Sequence, residues 1–406
     1  MFGKQKKMIG IVMILLLAAN LFSFSKKQAK VPEISLDTFC ESNNKFGFKV
    51  LKEILNEQPD ENIFISPMSI SYALGMTFNG ADGITREEMA KTLEFGNLTT
   101  AEINESFKKL MKKLIELDPQ VMMKIANSIW YRDDIDILKP FKEVNRDYFN
   151  AEIRNMDFSK KETVGIINNW VNENTNGKID KILDEIDALS MMYLINAIYF
   201  KGAWTNEFDK KRTREDKFFY AKGKSVMCEM MSSSEKVMYF ENKDFQAVDL
   251  PYGKENFSMI VILPKKEDDL NKFISNLNNE DWNSWLTGFS KQKGSLSLPK
   301  FKIEYDIEMN DVLKNLGMGN AFSPAADFSK MTKKQKLYIS NVKHKTFVDV
   351  NEEGTEAAAV TVVEMKLTSA GPGFYMKVNR PFVFAIKEKE TNSILFIGKI
   401  VNPKPE

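Results

Sequence analysis

The chain has 406 residues, of which 43% are hydrophobic and 28% charged, so its composition is that of a folded protein with a substantial core. Its 57 Lys and Arg nearly balance its 56 Asp and Glu, which excludes an overall field that favours nucleic acid or a membrane surface. Two cysteines are too few for a disulfide framework, and the sequence leaves open whether Cys40 and Cys228 pair.

The first segment has the layout of a secretory signal peptide. Three lysines precede an apolar run over residues 8–22, and Ser-Phe-Ser at 23–25 supplies a small-x-small cleavage site. We therefore predict a signal peptide over residues 1–25, a linker over 26–35 and a secreted, extracellular protein without a membrane partner. An uncleaved membrane anchor is the alternative. The sequence disfavours it because the run is shorter than the roughly 20 apolar residues of a spanning helix.

The next segment predicts three helices. Apolar residues at helical spacing indicate a first helix over residues 39–55. The strand-like run from Asn62 then stops at Ser66, which we expect to be the N-cap of a buried helix with Pro67 as its first residue. Residues 85–88, Thr-Arg-Glu-Glu, match a capping box and predict that a further helix begins there.

An amphipathic helix is predicted over residues 100–117, and one of its faces is basic. This face carries two lysine pairs one turn apart, which are Lys108, Lys109, Lys112 and Lys113. Most such faces are simply solvated, and a site for a polyanion is the alternative that the sequence leaves open.

The remainder of the chain mixes helix and strand. We predict an apolar element at 125–131, a helix over 163–174, and strands at 193–200, 245–250, 257–263, 295–305 and 381–386. Helices dominate the first half and strands the second without regular βαβ alternation, which predicts an α+β fold. No repeat or interdomain linker interrupts this pattern, so we expect a single domain over residues 36–406.

The common catalytic and cofactor motifs are missing from the sequence. His344 is the single histidine, so a Ser/His/Asp or Cys/His arrangement would depend on this one residue, and no Gly-x-Ser-x-Gly elbow accompanies it. No P-loop, convincing dinucleotide fingerprint or His-Glu-x-x-His helix is present, and the counts exclude the common Cys/His zinc sets. We therefore expect neither an enzyme nor a cofactor or metal site.

Residues 355–367 have the alternating pattern of a strand but are flanked by residues that are typical of a loop. Odd positions carry no charge, whereas Glu356, Glu364 and Lys366 all fall on even positions, so one face is dry and the other wet. The segment follows Glu-Glu-Gly at 352–354 and ends in a Gly/Pro/Ser stretch, which is typical of surface loops. An ordinary edge strand between two turns is the alternative interpretation.

Several segments, taken together in chain order, resemble the serpins, the superfamily of serine protease inhibitors. Each segment alone is weakly specific, whereas their combination over nearly all of the mature chain is very specific. They lie at residues 62–70, 125–130, 169–172 with 175–179, 194–204, 298–301, 349–359 and 379–382.

The resemblance implies an α+β serpin fold with three β-sheets, eight or nine helices and an exposed reactive loop at about residues 352–374. It also implies suicide inhibition of a serine or cysteine protease. The target cuts the loop, forms an acyl-enzyme and is trapped when the loop inserts into the large sheet as a new strand. A non-inhibitory binding, storage or chaperone protein is the alternative. Inhibition is favoured because the hinge is small and flexible at its leading end; its residues are Glu352, Glu353, Gly354, Thr355, Glu356, Ala357, Ala358 and Ala359.

Two further groups of residues acquire roles from the resemblance. One is the polar cluster at which the sheet opens, where we expect His344 to hydrogen-bond Asn196; its members are Ser66, Ser69, Asn196 and His344. The other is the point where the loop enters the sheet, which Trp204 matches. We expect Lys300 and Glu352 to form an exposed ion pair beside Trp204, and such a pair contributes little to stability.

The length of the loop implies a scissile bond between Thr368 and Ser369. A small β-branched residue at the cut suits proteases with shallow pockets, such as elastase-like or subtilisin-like enzymes. A hinge shorter by one or two residues would move the cut to Leu367 or Lys366 and make the target chymotrypsin-like or trypsin-like. We expect the inhibitor to act as a monomer.

Overall fold

A computed structural model describes residues 35–221, 223–266, 270–356 and 373–404. The predicted signal peptide, almost all of the linker, the hinge residues Ala357 to Ala359 and the candidate cut sites at 366–369 therefore lie outside the described residues. All described residues fall within one compact unit. None of the helices among them is long and apolar enough to cross a membrane.

The described residues form nine α-helices, as the resemblance implies. Their bounds are α1 Leu36–Glu57, α2 Pro67–Phe78, α3 Gly83–Thr92, α4 Thr100–Glu116, α5 Lys139–Phe149, α6 Glu162–Asn174, α7 Leu270–Asn276, α8 Asn279–Gly288 and α9 Asn310–Leu313.

The predicted start of α2 is confirmed. The Ser66 hydroxyl accepts a hydrogen bond from the Ser69 backbone N–H at 3.2 Å, and Pro67 is the first helical residue. Every residue of α2 is buried, which agrees with its almost entirely apolar or small side chains.

The predicted N-cap of α3, Thr85, is wrong by three residues, because the N-cap is Asp82. The helix begins at Gly83, and Thr85 does not cap it, because the Thr85 hydroxyl accepts a hydrogen bond from the backbone N–H of Asp327 at 2.9 Å instead. A capping box does exist one helix later, where Thr99 and Glu102 exchange hydrogen bonds at the start of α4. A four-letter motif thus identifies a cap only when no distant group competes for its hydroxyl.

Sixteen strands lie in the described part of the chain. Their bounds are β1 Ile63–Ile65, β2 Val121–Arg132, β3 Glu152–Met156, β4 Met192–Ala203, β5 Arg214–Ala221, β6 Lys224–Ser233, β7 Lys236–Glu241, β8 Phe245–Tyr252, β9 Phe257–Pro264, β10 Ser290–Pro299, β11 Phe301–Glu308, β12 Asn341–Asn351, β13 Gly354–Thr355, β14 Phe374–Lys377, β15 Phe382–Glu388 and β16 Ile394–Ile400.

These strands form the three predicted sheets, two of which share a strand. Six strands make the large sheet in the order β11-β12-β13-β4-β2-β3. The other ten are connected through β10, whose first half pairs with β7 and whose second half pairs with β6. The single strand predicted at 295–305 is wrong, because the chain changes sheet at Lys300 and continues as β11.

Both faces of the large sheet are covered near β4. Leu194 points into the main core, whereas Ile195 packs in a second apolar cluster with Ile167 and Val171 of α6. This double burial explains why β4 is almost continuously apolar rather than alternating. It also places α6 over the outer face of the sheet.

Candidate functional site: the loop hinge and the sheet opening

The two central strands of the large sheet are joined at one end and parted at the other. Asn341–His344 of β12 pairs directly and in parallel with Tyr193–Asn196 of β4. At the far end β13 lies between them, with Thr355 opposite both Val350 of β12 and Gly202 of β4. No described strand occupies the stretch between these two ends, so the strands enclose a gap that begins where β13 stops.

Thr355 is already buried as part of the sheet. It is 1% exposed, and its hydroxyl shares a 2.6 Å hydrogen bond with the Tyr252 hydroxyl in the core. Burial raises the pKa of Tyr252 well above its usual value, so the phenol stays neutral. The inward position of Thr355 agrees with the predicted dry face of odd-numbered residues.

Gly354 fits its position because it has no side chain. Its φ of +149° lies outside the range that other residues readily adopt, and an added Cβ would meet the carbonyl oxygen of Gly202 at 2.2 Å. The conformation and the close approach together explain why the hinge has glycine at this residue.

Trp204 lies beside the point where the loop leaves β12, as the resemblance implies. Its indole N–H donates to the Asn351 carbonyl at 2.9 Å, and its backbone N–H donates to the Glu353 carbonyl at 2.9 Å. The ring stacks on Tyr252 with centroids 4.4 Å apart. Trp204 therefore holds the backbone on both sides of the turn that leads into the hinge.

The predicted ion pair between Lys300 and Glu352 is present at 3.4 Å, but the expectation that it is exposed is wrong. Glu352 is 6% exposed and also accepts a 2.8 Å hydrogen bond from the Thr213 hydroxyl, while Lys300 reaches Glu229 at 3.1 Å. Burial raises the pKa of Glu352, but the hydrogen bond from Thr213 and the charge of Lys300 outweigh it and leave that pKa below its usual value.

A cleft of about 470 Å³ opens beside these residues. Its lining is polar throughout and consists of Lys210, Thr213, Glu229, Lys300, Asn351, Glu352 and Glu353. Lys210 hydrogen-bonds Glu353, so the lysines and the loop carboxylates largely neutralise one another. This arrangement ties the base of the loop to the body and leaves no cluster of one charge for an ion.

The predicted sheet-opening cluster is assembled and fully buried, but its hydrogen bonds differ from the prediction. The His344 Nε2 atom accepts from the backbone N–H of Ser66 at 3.0 Å rather than contacting the Asn196 side chain. Asn196 instead accepts from the Ser69 hydroxyl and donates to Asn127. His344 and Asn196 do lie opposite each other, as backbone partners in the parallel pairing of β12 and β4.

Burial keeps His344 neutral by lowering its pKa to about 3. A neutral imidazole is required here because Nε2 must present a lone pair to the Ser66 N–H. The Ser66 hydroxyl, in turn, donates to the Leu395 carbonyl of β16 at 2.6 Å. His344 thus links the large sheet to the helix and strand beneath it.

Asn127 is a member of this cluster that the sequence analysis did not single out. It is 1% exposed, joins Asn196 through its side-chain oxygen and donates to the Phe149 carbonyl at 2.9 Å. The sequence could have identified Asn127 from its position within an apolar strand, because a buried amide in such a run needs specific hydrogen-bond partners.

Two questions left open by the sequence concern residues outside the hinge. Cys40 and Cys228 are both buried and unpaired, and burial raises the pKa of each thiol to about 11.

On the basic face of α4, Lys113 pairs with Glu390 at 2.7 Å and Lys108 lies over the Tyr148 ring. At least two of the four lysines therefore interact within the protein. This reduces the positive charge available to a polyanion and favours the interpretation of a solvated face.

No group of three or more His, Cys, Asp or Glu suited to a metal ion occurs in the described part of the chain.

Comparisons with known proteins agree with this architecture. Residues 41–403 match the family model "Serpin (serine protease inhibitor)". Human Serpin B8 is 36% identical over 378 residues, which span 91% of this chain and all of the relative, and human Serpin B9 is 34% identical over 380 residues with the same coverage.

Solved structures give the same result. The thermophilic serpin tengpin in its native state is 38% identical with a TM-score of 0.83, over 91% of this chain and 95% of that chain. Human thyroxine-binding globulin complexed with its hormone is 30% identical with a TM-score of 0.85, over 91% and 100%. The parted sheet, the tethered hinge and these similarities lead to one conclusion: the chain belongs to the serpin family.

Proposed function

We propose that this serpin is a suicide inhibitor of serine proteases, with cysteine proteases as further targets, and that it is not an enzyme. The observation that carries the proposal is the position of β13. Gly354 and Thr355 already occupy the first strand position between β4 and β12, so the sheet is open at the end where a cut loop would enter.

The register of β13 supports insertion of the rest of the loop. If the same register continued, Ala357 would lie opposite Phe200 and Val348, and Ala359 would lie opposite Ile198. These partners are buried, so small side chains at residues 357 and 359 ease the entry of the strand. The alanines of the hinge meet this requirement.

The chemistry of trapping requires only the normal first half of proteolysis. The protease serine attacks the carbonyl carbon of Thr368, the bond to Ser369 breaks, and the new Ser369 amine leaves with a proton. An ester then joins Thr368 to the protease. Insertion adds backbone hydrogen bonds of about 1 kcal/mol each and carries the attached protease away from the cut end before water completes hydrolysis.

The target class follows from the residue before the cut. Thr368 favours elastase-like or subtilisin-like proteases, whereas a cut after Leu367 or Lys366 would favour chymotrypsin-like or trypsin-like ones. The lysine-rich start, the apolar run and the small residues at 23–25 support secretion as part of the proposal. The mature protein would then meet extracellular proteases as a monomer.

The test is to incubate the purified protein with elastase-like, subtilisin-like, chymotrypsin-like and trypsin-like proteases and to separate the mixtures by denaturing electrophoresis. We expect one class to form a complex that survives denaturation and to release a C-terminal peptide that begins at Ser369. Catalytically inactive protease is the matched control and should form no such complex.

The non-inhibitory alternative has one supporting observation, since a hormone-binding globulin shares the fold at 30% identity. Cleavage of the loop by every protease without any covalent complex would favour that alternative. A complex with a peptide that begins at Leu367 or Thr368 would keep the mechanism and move the cut.

A further inference from the structure

Glu356 is the residue at which the hinge stops following the sheet. Its φ is +54°, a left-handed conformation that is unusual for a residue with a side chain, and its backbone N–H donates to the Asp349 carbonyl at 2.9 Å. The side chain is only 3% exposed, so the turn directs a carboxylate into the protein.

Two side chains receive this carboxylate. The Lys178 ammonium lies 3.7 Å from Oε2, and the Tyr199 phenol of β4 interacts with the same carboxylate. Burial, and next the contact with Glu356, raise the pKa of Tyr199 to about 12, which keeps it a neutral donor. Oε2 has no hydrogen-bond partner, and Lys178 forms an ion pair with it.

Lys178 belongs to a segment that crosses β12. We call residues 175–183 the crossing segment; it follows α6, and it is anchored by a 3.1 Å hydrogen bond from the Ile179 N–H to the Thr175 hydroxyl. Lys345 of β12 donates to the Lys181 carbonyl at 2.7 Å, and Lys178 lies over the Phe347 ring. Lys178 therefore connects the hinge to the layer that covers the gap.

Further insertion requires Glu356 to leave its left-handed conformation. An extended Glu356 in the register of β13 would lie between Lys201 and Asp349, one favourable neighbour and one unfavourable. Burial already raises the pKa of Glu356, and Asp349 raises it further, while Tyr199, Lys178 and Lys201 lower it. Opening the turn at Glu356 moves the carboxylate relative to Lys178, its cationic partner.

We propose that Lys178 and Tyr199 hold Glu356 as a latch that fixes the hinge at its present depth and sets the rate of further insertion. This inference rests on the proposed function for its role in inhibition. The latch acts in the uncut protein as well, where it keeps the loop from entering the gap before a protease arrives. Lys178 and Tyr199 are positioning residues, because neither touches the scissile bond.

The test compares uncut wild-type protein with Lys178→Met and Tyr199→Phe. Hydrogen exchange of the peptide that covers residues 349–356 should be about tenfold faster in both variants, since Glu356 no longer restrains the end of β13. Lys181→Met is the matched control, because the Lys181 ammonium of the crossing segment pairs with Asp184 and not with Glu356, so exchange should match the wild type.

A second measurement follows spontaneous insertion. Uncut proteins are held below their melting temperature, and the fraction that has become more resistant to heat is measured over time. We expect this fraction to grow several times faster in both latch variants than in Lys181→Met. If both latch variants exchange hydrogen and convert to the heat-resistant form at wild-type rates, the latch proposal is wrong. Faster exchange in proteins that trap no protease would support the latch and reject the proposed function.

Discussion

The two ends of the gap between β4 and β12 are held by different kinds of contact. At the joined end, the strands pair directly above a buried polar cluster in which His344, Ser66 and Asn196 make directional hydrogen bonds. At the parted end, Gly354 and Thr355 lie between the strands and fit through small size and one hydroxyl contact.

Under the proposed function, this difference would let one sheet be stable and still accept a further strand. Polar contacts fix a single arrangement when all are satisfied, yet a new strand can replace the backbone hydrogen bonds it displaces. Small residues at the parted end lower the steric cost of the first step. Each substitution or condition below should weaken one end of the gap and leave the other intact.

The largest effect is expected from Thr355→Arg at the parted end. The side chain is 1% exposed and faces Tyr252, so a guanidinium would have to be buried without a partner or would keep the hinge out of the sheet. We expect the target protease to cut the variant and escape, so that the number of inhibitor molecules consumed per protease rises at least tenfold. Titration of protease activity measures this number.

Thr355→Val is the control for that prediction, because it keeps the shape of threonine and removes only the hydroxyl. This variant should retain inhibition, with only a modest change in the number of inhibitor molecules consumed per protease. An arginine variant that inhibits like the wild type would contradict the role of the parted end.

Acid should weaken the joined end next most strongly. The pKa of His344 lies near 3 in the folded protein, against an ordinary value of 6.5, so the unfolded chain binds a proton first as the pH falls. The contribution of this neutral histidine is therefore complete above pH 6.5 and is lost at about 1.4 kcal/mol for each pH unit towards pH 3. Histidine NMR measures the pKa directly, since the chain has one imidazole.

A matched variant tests the consequence for stability. His344→Gln can still accept a hydrogen bond from Ser66 but cannot titrate, so its melting temperature should fall less between pH 7 and pH 4 than that of the wild type. An imidazole signal that titrates near pH 6.5 would contradict the buried acceptor role.

Gly354→Ala should have an intermediate effect at the parted end. A Cβ would lie 2.2 Å from the Gly202 carbonyl oxygen in a backbone conformation that alanine disfavours, so the hinge must shift. We expect a loss of about 1–3 kcal/mol, measured as a lower unfolding midpoint. Gly165→Ala in α6 is the control, because nothing lies within 4 Å of its Cβ position; it should be neutral or stabilising.

The smallest effect is expected from Lys300→Met beside the parted end. The lysine is partly exposed, so loss of its ion pairs should reduce stability by less than about 1 kcal/mol. Glu352 would keep the Thr213 hydroxyl but lose the charge of Lys300, so its pKa would rise and the rate of inhibition should become more sensitive to acid. An unchanged pH profile of that rate would contradict the pairing.

Features of this site that depend on local sequence were predictable, and features that depend on distant partners were not. The N-cap at Ser66 and the inward face of Thr355 follow from helix and strand geometry. The hydroxyl of Thr85 bonds a residue that is distant in the chain, and His344 bonds Ser66 rather than Asn196. These hydrogen-bond partners are determined by tertiary packing, which cannot be read from local sequence patterns.

The change of sheet at Lys300 illustrates the same limit. Residues 295–305 were predicted as one strand, but Lys300 separates two strands with different neighbours. Glu356 was predicted as a residue of the hinge and of the wet face, but its buried contact was not predicted. Its left-handed turn and its contact with Lys178 depend on the crossing segment, which lies well before it in the chain.

The most direct test of the account is the melting temperature before and after a single cut within residues 366–369. Insertion as a new strand would add on the order of ten hydrogen bonds, so the midpoint should rise by about 10 °C or more. Uncut protein treated with inactivated protease provides the baseline. A cut protein that melts at the same temperature as this baseline would contradict the claim that the sheet accepts the loop.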